Sequence, residues 1–354
     1  NLCSVLRTRE GDVLFEYDVD SKPADLDDAL KEADVIFHLA GVNRPLHPDE
    51  FETGNAGSIE GICAKLTEIG RSPKIVLSSS IQAELENPYG LSKKKAEEVL
   101  KRFSDKTGAA CVVYRFKNLF GKWCRPNYNS VTATFCHNIA HDLPIQISNP
   151  ANQVDLTYID DVVVSLVCEL DDMERGFRFS EELPSYTVTL GELAGLIWSF
   201  RDMRKSLVLP DFSKPFVRFL YATYLSYLPT DQFAYPLKMN VDQRGSFTEF
   251  VRTPDRGQVS VNISKPAITK GEHWHHTKNE KFLVVSGSGV IRFRRIGDDK
   301  ILEYTVSGDK LEVIDIPPGY THNISNTGET DMVTVMWASE SFDPENPDTY
   351  YEKV

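Results

Sequence analysis

The stretch Lys74-Ile-Val-Leu-Ser-Ser-Ser80, with Tyr89-Gly-Leu-Ser-Lys93 close behind it, decides how the front of this chain folds. A short run that opens apolar and ends on hydroxyls reads as a buried strand, and Lys93 to Phe103 then carries helical spacing. Upstream, Val13-Leu-Phe15 and Val35-Ile-Phe-His-Leu-Ala40 are further strand candidates, and Ile59 to Ile69 again has helical spacing; downstream, Cys111-Val-Val-Tyr-Arg-Phe116 repeats the pattern. This alternation predicts an α/β Rossmann-like, doubly wound parallel sheet. From about Met239 the texture changes to short alternating runs between turns, such as Gly257-Gln-Val-Ser-Val-Asn-Ile263, Phe282-Leu-Val-Val285 and Val290-Ile-Arg-Phe293, which predicts an all-β barrel or sandwich. The aromatic-rich segment from Phe216 to Tyr235 reads as a connector packed between the two halves. The expected domains are therefore 1–235 and 236–354, as the length of 354 residues also suggests.

A net charge of −13 repels phosphate backbones and anionic lipid, so neither nucleic acid nor a membrane surface is the expected partner. An anionic substrate has to be met by cations placed locally. The six cysteines show no close paired spacing, no run approaches the ~18 apolar residues of a membrane span, and no signal peptide is visible, so the expected compartment is the cytoplasm.

Tyr89 and Lys93, at i and i+4, share one face of a helix. An ammonium so placed is expected to lower the phenol pKa, while a hydroxyl from the preceding strand end, Ser80, binds the oxygen of a carbonyl being reduced. A bare Y-x-x-x-K pair is weak evidence, but its surroundings resemble the extended short-chain dehydrogenase/reductase family over roughly residues 1 to 230. His38-Leu39-Ala40-Gly41 is similar to the family's strand-end motif near the cofactor, Asn55 stands where a helix asparagine supports that strand, and Arg115 through Asn118-Leu-Phe-Gly121 and Tyr158-Ile-Asp-Asp161 match later elements. The resemblance implies Ser80, Tyr89 and Lys93 as catalytic residues and His38, Leu39, Ala40, Gly41, Asn55, Tyr89 and Lys93 as cofactor-binding. For His38 and Asn55 a purely structural role competes with that reading. Ile81-Gln82 follow Ser80 in place of the Asp-Glu of family dehydratases, which leaves ketone reduction or 4-epimerisation. The family's Gly-rich phosphate loop does not occur; Asn1-Leu2-Cys3 resembles the helix just after it, so about twenty residues are expected to be lacking. Asp18, closing a strand Val13 to Tyr17, points to NAD by charge.

In the second half, His273-x-His275, Glu280 and Gly287, then Pro317-Pro-Gly319, His322 and Asn326, resemble the two cupin motifs, over about residues 237 to 354. Histidines at i and i+2 on a strand project to one side, so His273, His275, Glu280 and His322 form an expected metal set for zinc or another divalent transition metal in a jelly-roll barrel. His276 points the other way and stays outside the set. Asp242 to Glu249 and Lys270-Gly-Glu-His273 are similar to deoxysugar 3,5-epimerase cupins, in which a histidine at the His273 position removes a proton next to a ketone. His273 cannot readily be both ligand and base, so Glu280 or a metal-bound hydroxide is the alternative base, with Lys270 as a cation for the enolate and Tyr320 as a candidate proton donor.

Asn43-Arg-Pro45, Leu119 to Ser130, Thr223 to Pro229 and Lys270 to Glu280 extend a resemblance to the bifunctional reductase–cupin enzymes of capsular polysaccharide synthesis over essentially the whole chain. It implies a homodimer on the route to UDP-N-acetyl-L-fucosamine. The cupin would epimerise carbon 3 of a UDP-2-acetamido-2,6-dideoxy-4-hexulose, and the front domain would reduce its ketone with NADPH to UDP-2-acetamido-2,6-dideoxy-L-talose. Asn118, Lys122, Arg125, Asn127 and Lys270 are the expected substrate-binding residues. Two other readings stay open: a 4-reductase or 4-epimerase carrying a structural cupin, and a sugar-nucleotide-binding regulator without turnover.

Overall fold

The computed structural model describes residues 1–45, 47, 49–172 and 174–354. The chain forms two compact units, Asn1–Trp198 with Pro215–Pro229, and Ser199–Lys214 with Thr230–Val354.

In the first unit β1 (Val35–His38), β2 (Lys74–Ser80), β3 (Ala110–Phe116) and β6 (Gly176–Phe179) form a wholly parallel sheet in that order. Because side chains alternate along a strand, β2 and β3 build two cores. Ile75, Leu77, Cys111 and Val113 pack with the helices Ser58–Glu68 and Pro88–Thr107, while Val76, Val112 and Tyr114 pack with Leu2 and Leu6 and with the helix Ile159–Cys168. The doubly wound expectation is met. A smaller sheet joins β4 (Asn118–Phe120), β5 (Gln153–Tyr158) and β7 (Tyr186–Thr189).

Two local expectations fail. Val13–Tyr17 is no strand: Val13 is 80% exposed, and among the described residues no strand lies beside it or along the outer edge of β1. An extended segment without a neighbour has no ladder to join. The aromatic segment after residue 215 is a helix, Pro215–Leu225, belonging to the first unit, where Phe216 meets Phe120 and Phe219 stacks on Tyr158 at 4.2 Å.

The second unit is a pair of antiparallel sheets. One runs β15 (Val313–Ile316), β12 (Glu280–Ser286), β17 (Met332–Ala338), β10 (Gly257–Ser264), β9 (Gly245–Thr253) and β8 (Met239–Asp242). The other runs β14 (Ile301–Ser307), β13 (Ser288–Arg295), β16 (Tyr320–Asn326), β11 (Thr269–Trp274) and β18 (Tyr350–Tyr351). Phe282 and Val284 of the first sheet meet Ile291, Phe293 and Ile324 of the second in a shared core, the arrangement of a β-sandwich.

Candidate active site and candidate metal centre

The hydroxyl end of β2 turns directly into a short 3-10 segment, Ile81–Glu84, because the Ser80 hydroxyl accepts from the Gln82 N–H at 3.2 Å. The following helix begins at Pro88, capped by Asn87 on the Gly90 N–H, so Tyr89 projects from its first turn. Glycine is required next to it: a Cβ at Gly90 would lie 2.1 Å from the Gln82 carbonyl oxygen. The result sets the Tyr89 phenol beside the Ser80 hydroxyl, close enough for that hydroxyl to favour the phenolate. Lys93, one turn further on and 5% exposed, donates to the Ser78 carbonyl at 3.1 Å and lies 5.9 Å from the Tyr89 ring centre.

The expected lowering of the phenol pKa is reversed. Burial raises Tyr89 above its usual value, and the Ser80 hydroxyl recovers only part of that. Burial also pushes Lys93 down to about 8, against a smaller opposing pull from Glu97. Tyr89 is thus held as the protonated acid.

The cofactor-side residues gather around the same lysine. Asn55, 2% exposed and within a π-helical turn Glu52–Gly57, accepts from Val42 N–H at 3.0 Å and donates to the Val42 carbonyl and to Ser92. It therefore ties the loop after β1 to the helix that carries Tyr89 and Lys93. A Cβ on Gly41 would come within 2.8 Å of both Asn55 Oδ1 and Lys93 Nζ, so this backbone is bare where those polar groups converge. Leu39 and Ala40 are exposed at the strand end. His38 is buried, bonded through Nε2 to Ser58 Oγ at 3.0 Å, and lowered to about 4 by burial and by Lys93, so its role toward β1 is that of a neutral anchor. Bare glycine backbone beside a partly unused ammonium suits a nicotinamide ribose.

Four of the expected substrate contacts are engaged with the chain itself. Asn118 donates to the Asp155 carbonyl at 3.3 Å, Lys122 is ion-paired with Asp160 at 2.5 Å, Asn127 donates to Asn138 at 3.2 Å, and Lys270 spends its protons on Asn262 Oδ1, the Ile263 carbonyl and the Ser246 carbonyl. Lys270 thus fastens β11 to β9 and β10. Arg125 differs: its guanidinium sits 5.2 Å from the Tyr128 ring, with Arg44 at 5.9 Å from the same ring.

In the second unit the antiparallel register sets His273 of β11 opposite His322 of β16. A bulge at Glu272, whose φ is 61°, turns the strand just ahead of His273. Glu280 arrives from β12 in the facing sheet, and the ligand atoms of His273, His275, Glu280 and His322 all lie within 4.8 Å of one another. Glu280 Oε2 is 3.5 Å from His275 Nε2 and 3.4 Å from His322 Nε2. These three buried atoms have no hydrogen-bond partner, an arrangement too costly to leave unserved. Separations of about 3.3 Å are the edge of a tetrahedron around an ion with bonds near 2.0 Å, close to the two carboxylate–imidazole distances here, so the donor set suits a divalent transition ion such as zinc. His276 is exposed and packs on Trp274 and Tyr350, outside the set, and Tyr320 packs against the core.

Sequence reasoning missed two supports. Glu97, 4% exposed, takes two bonds from Arg115 and one from Ser79, locking the helix that carries Tyr89 and Lys93 to β2 and β3. Its place one turn after Lys93 was the available signal. The other is the chain's last segment, described below.

A doubly wound sheet bearing a Ser-Tyr-Lys constellation, followed by a histidine-lined sandwich, defines a reductase-type protein of the short-chain class with an appended cupin-like unit. Comparison with known proteins agrees. Residues 5–179 match the NAD dependent epimerase/dehydratase family, and residues 240–350 match the polysaccharide biosynthesis C-terminal domain. The UDP-2-acetamido-2,6-beta-L-arabino-hexul-4-ose reductase of Pseudomonas aeruginosa is 44% identical over 350 residues, 99% of this chain and 94% of that protein. The crystal structure of the capsular polysaccharide assembling protein CapF from Staphylococcus aureus is 53% identical, covers 100% of this chain and 96% of its own, and superposes with a TM-score of 0.93. A structure of CapF with the inhibitor 3-isopropenyl-tropolone is 48% identical with a TM-score of 0.88. The chain belongs to the CapF family.

Proposed function

We propose that this protein acts twice on one UDP-activated ketosugar: the second unit inverts carbon 3 of a UDP-2-acetamido-2,6-dideoxy-4-hexulose, and the first reduces its 4-ketone to UDP-2-acetamido-2,6-dideoxy-L-talose. The observation that carries the reduction is the convergence of Tyr89 and Lys93 at the hydroxyl end of the strand, Lys93 lying 5.9 Å from the Tyr89 ring centre and bonded to Ser78, with burial keeping the phenol protonated. The likeness to the hexulose reductase of P. aeruginosa supports the substrate class.

NADPH, held where Gly41, Asn55 and Lys93 converge, would supply hydride. The chain supplies the acid. Ser80 and Tyr89 hydrogen-bond the ketone oxygen, and Tyr89 gives its phenolic proton to that oxygen as carbon 4 is reduced. The Lys93 ammonium then faces the phenolate and offsets its charge. Arg125, with Arg44 beside it, offers cationic charge to the diphosphate, and Lys122 joins them by leaving Asp160.

His273, His275, Glu280 and His322 would hold zinc or another divalent transition metal, whose Lewis acidity favours loss of the proton at carbon 3. With His273 in the ligand set, that proton passes to a different group of the chain and a proton returns on the opposite face.

The test is Tyr89→Phe in the full chain, assayed with the ketosugar. NADPH oxidation should fall by on the order of 10²–10⁴-fold, while exchange of the carbon-3 hydrogen with solvent deuterium continues at the unmutated rate. Undiminished NADPH oxidation contradicts the assignment of Tyr89.

A further inference from the structure

The last seven residues of the chain, Asp348–Val354, run alongside the backbone that carries the histidines of the candidate metal centre. The ring Nδ1 of His275, a side chain 1% exposed, is hydrogen-bonded to the Asp348 backbone carbonyl. A carbonyl only accepts, so Nδ1 carries a proton and Nε2 is the nitrogen turned toward Glu280 Oε2. The Asp348 carboxylate is itself pinned. It accepts from the backbone N–H groups of His276 at 2.8 Å, Thr277 at 2.8 Å and Lys278 at 2.9 Å, and from the Thr277 hydroxyl at 3.0 Å. The turn between His275 and Glu280 is thereby folded around one side chain.

The rest of the segment pairs with the strand of His273 and reaches the residue next to His322. Tyr351 is the register partner of His273 and Tyr350 that of Trp274, and the Glu352 N–H donates to the Glu272 carbonyl at 3.0 Å. Thr321, next to His322, donates its hydroxyl to the Glu352 carbonyl, and Arg294 holds Glu352 Oε1 at 2.8 Å. The Glu272 carboxylate closes the strap on the Val354 N–H at 2.8 Å. None of the strap residues Asp348–Val354 lies in the two histidine motifs.

We propose that this C-terminal segment is a strap that preorganises the metal centre, with Asp348 as the positioning residue that fixes the His275 ring and its tautomer for metal binding. The proposal rests on the metal reading above. A hydrogen-bonded partner on the far nitrogen orients a ligating imidazole and raises its basicity, and losing such a partner typically costs about 10–100-fold in metal affinity.

The experiment measures zinc affinity of the full chain by competition with a chromophoric chelator, together with the melting temperature of the metal-free form. Wild type, Asp348→Ala, Asp348→Asn and His275→Ala are compared. Asp348→Ala keeps the backbone carbonyl but frees the turn that holds it against His275, so zinc should bind more weakly, by about 10-fold, the low end of the loss for a missing partner. Asp348→Asn, which keeps one acceptor oxygen for the turn, should fall between Asp348→Ala and wild type, with metal-free melting close to wild type. Wild-type affinity in Asp348→Asn and Asp348→Ala, while His275→Ala has lost zinc, overturns the strap and leaves the metal centre standing. Wild-type affinity in Asp348→Asn beside an Asp348→Ala chain that no longer folds overturns it equally, since the residue is then only structural. A wild-type chain that binds no zinc or other divalent transition metal sinks the metal reading itself.

Discussion

Lys93 is a buried cation whose charge has to be maintained by its surroundings. Burial drives its pKa from 10.5 down to about 8, with Glu97 pulling the other way. If the ammonium offsets phenolate charge, the reductase turnover should decline about tenfold per unit as pH rises beyond that value; a rate that stays level to pH 9.5 contradicts the role. The stability consequence has a definite sign. The folded state binds this proton less tightly than the unfolded chain does, so charged Lys93 costs stability below about pH 8, and the cost fades as pH rises from there toward 10.5. Lys93→Met should therefore melt above wild type at pH 7 while losing reduction. A lower melting temperature at that pH counts against the desolvation argument. The partners of these residues were legible from sequence because spacing on a helix fixes who is beside whom. The direction of the Tyr89 shift was not, because it depends on how completely water is excluded, and i, i+4 spacing carries no information about that.

At the level of elements, the helix Pro88–Thr107 is held to its neighbouring strands through Glu97, which bonds Arg115 and Ser79. Arg115 forks onto Glu97 at 3.0 and 2.6 Å and reaches Glu84 at 2.7 Å. Replacing it by methionine strands a buried carboxylate, which costs about 3 kcal/mol. A urea titration of Arg115→Met should register that loss, and the double variant with Glu97→Gln should recover part of it; no recovery would show that the pair is not the source. The alternation of strand and helix was readable across β1, β2, β3 and the helices between them because apolar periodicity records burial. Val13–Tyr17 carries the same pattern but has no neighbouring strand among the described residues, and sequence pattern alone does not say whether a partner is present. Lys270 taught the reverse lesson. It sits three residues before His273, yet its ammonium is consumed in tying three strands together, a distinction that only tertiary hydrogen bonding reveals.

Across the whole chain, the meeting of His273, His275, Glu280 and His322 was legible as a motif because histidines at i and i+2, a carboxylate after a turn and a distant histidine need no more than strand alternation to converge. The strap that orients them was not, since Asp348 lies far along the chain and follows Pro347 in a stretch with no periodicity. No helix among the described residues is long and apolar enough to cross a membrane. On the proposed function, the two units would each use one half of the chemistry of a ketone: its acidified neighbouring C–H in the second, its electrophilic carbon in the first. The most direct test is a pair of incubations of the intact protein in heavy water with the UDP-4-hexulose, without and with NADPH, followed by mass spectrometry of the sugar nucleotide. The account predicts deuterium at carbon 3 in the absence of cofactor, abolished by His275→Ala, and consumption of NADPH with a reduced carbon 4 in its presence. Recovery of unlabelled, unreduced ketosugar from both incubations would contradict it.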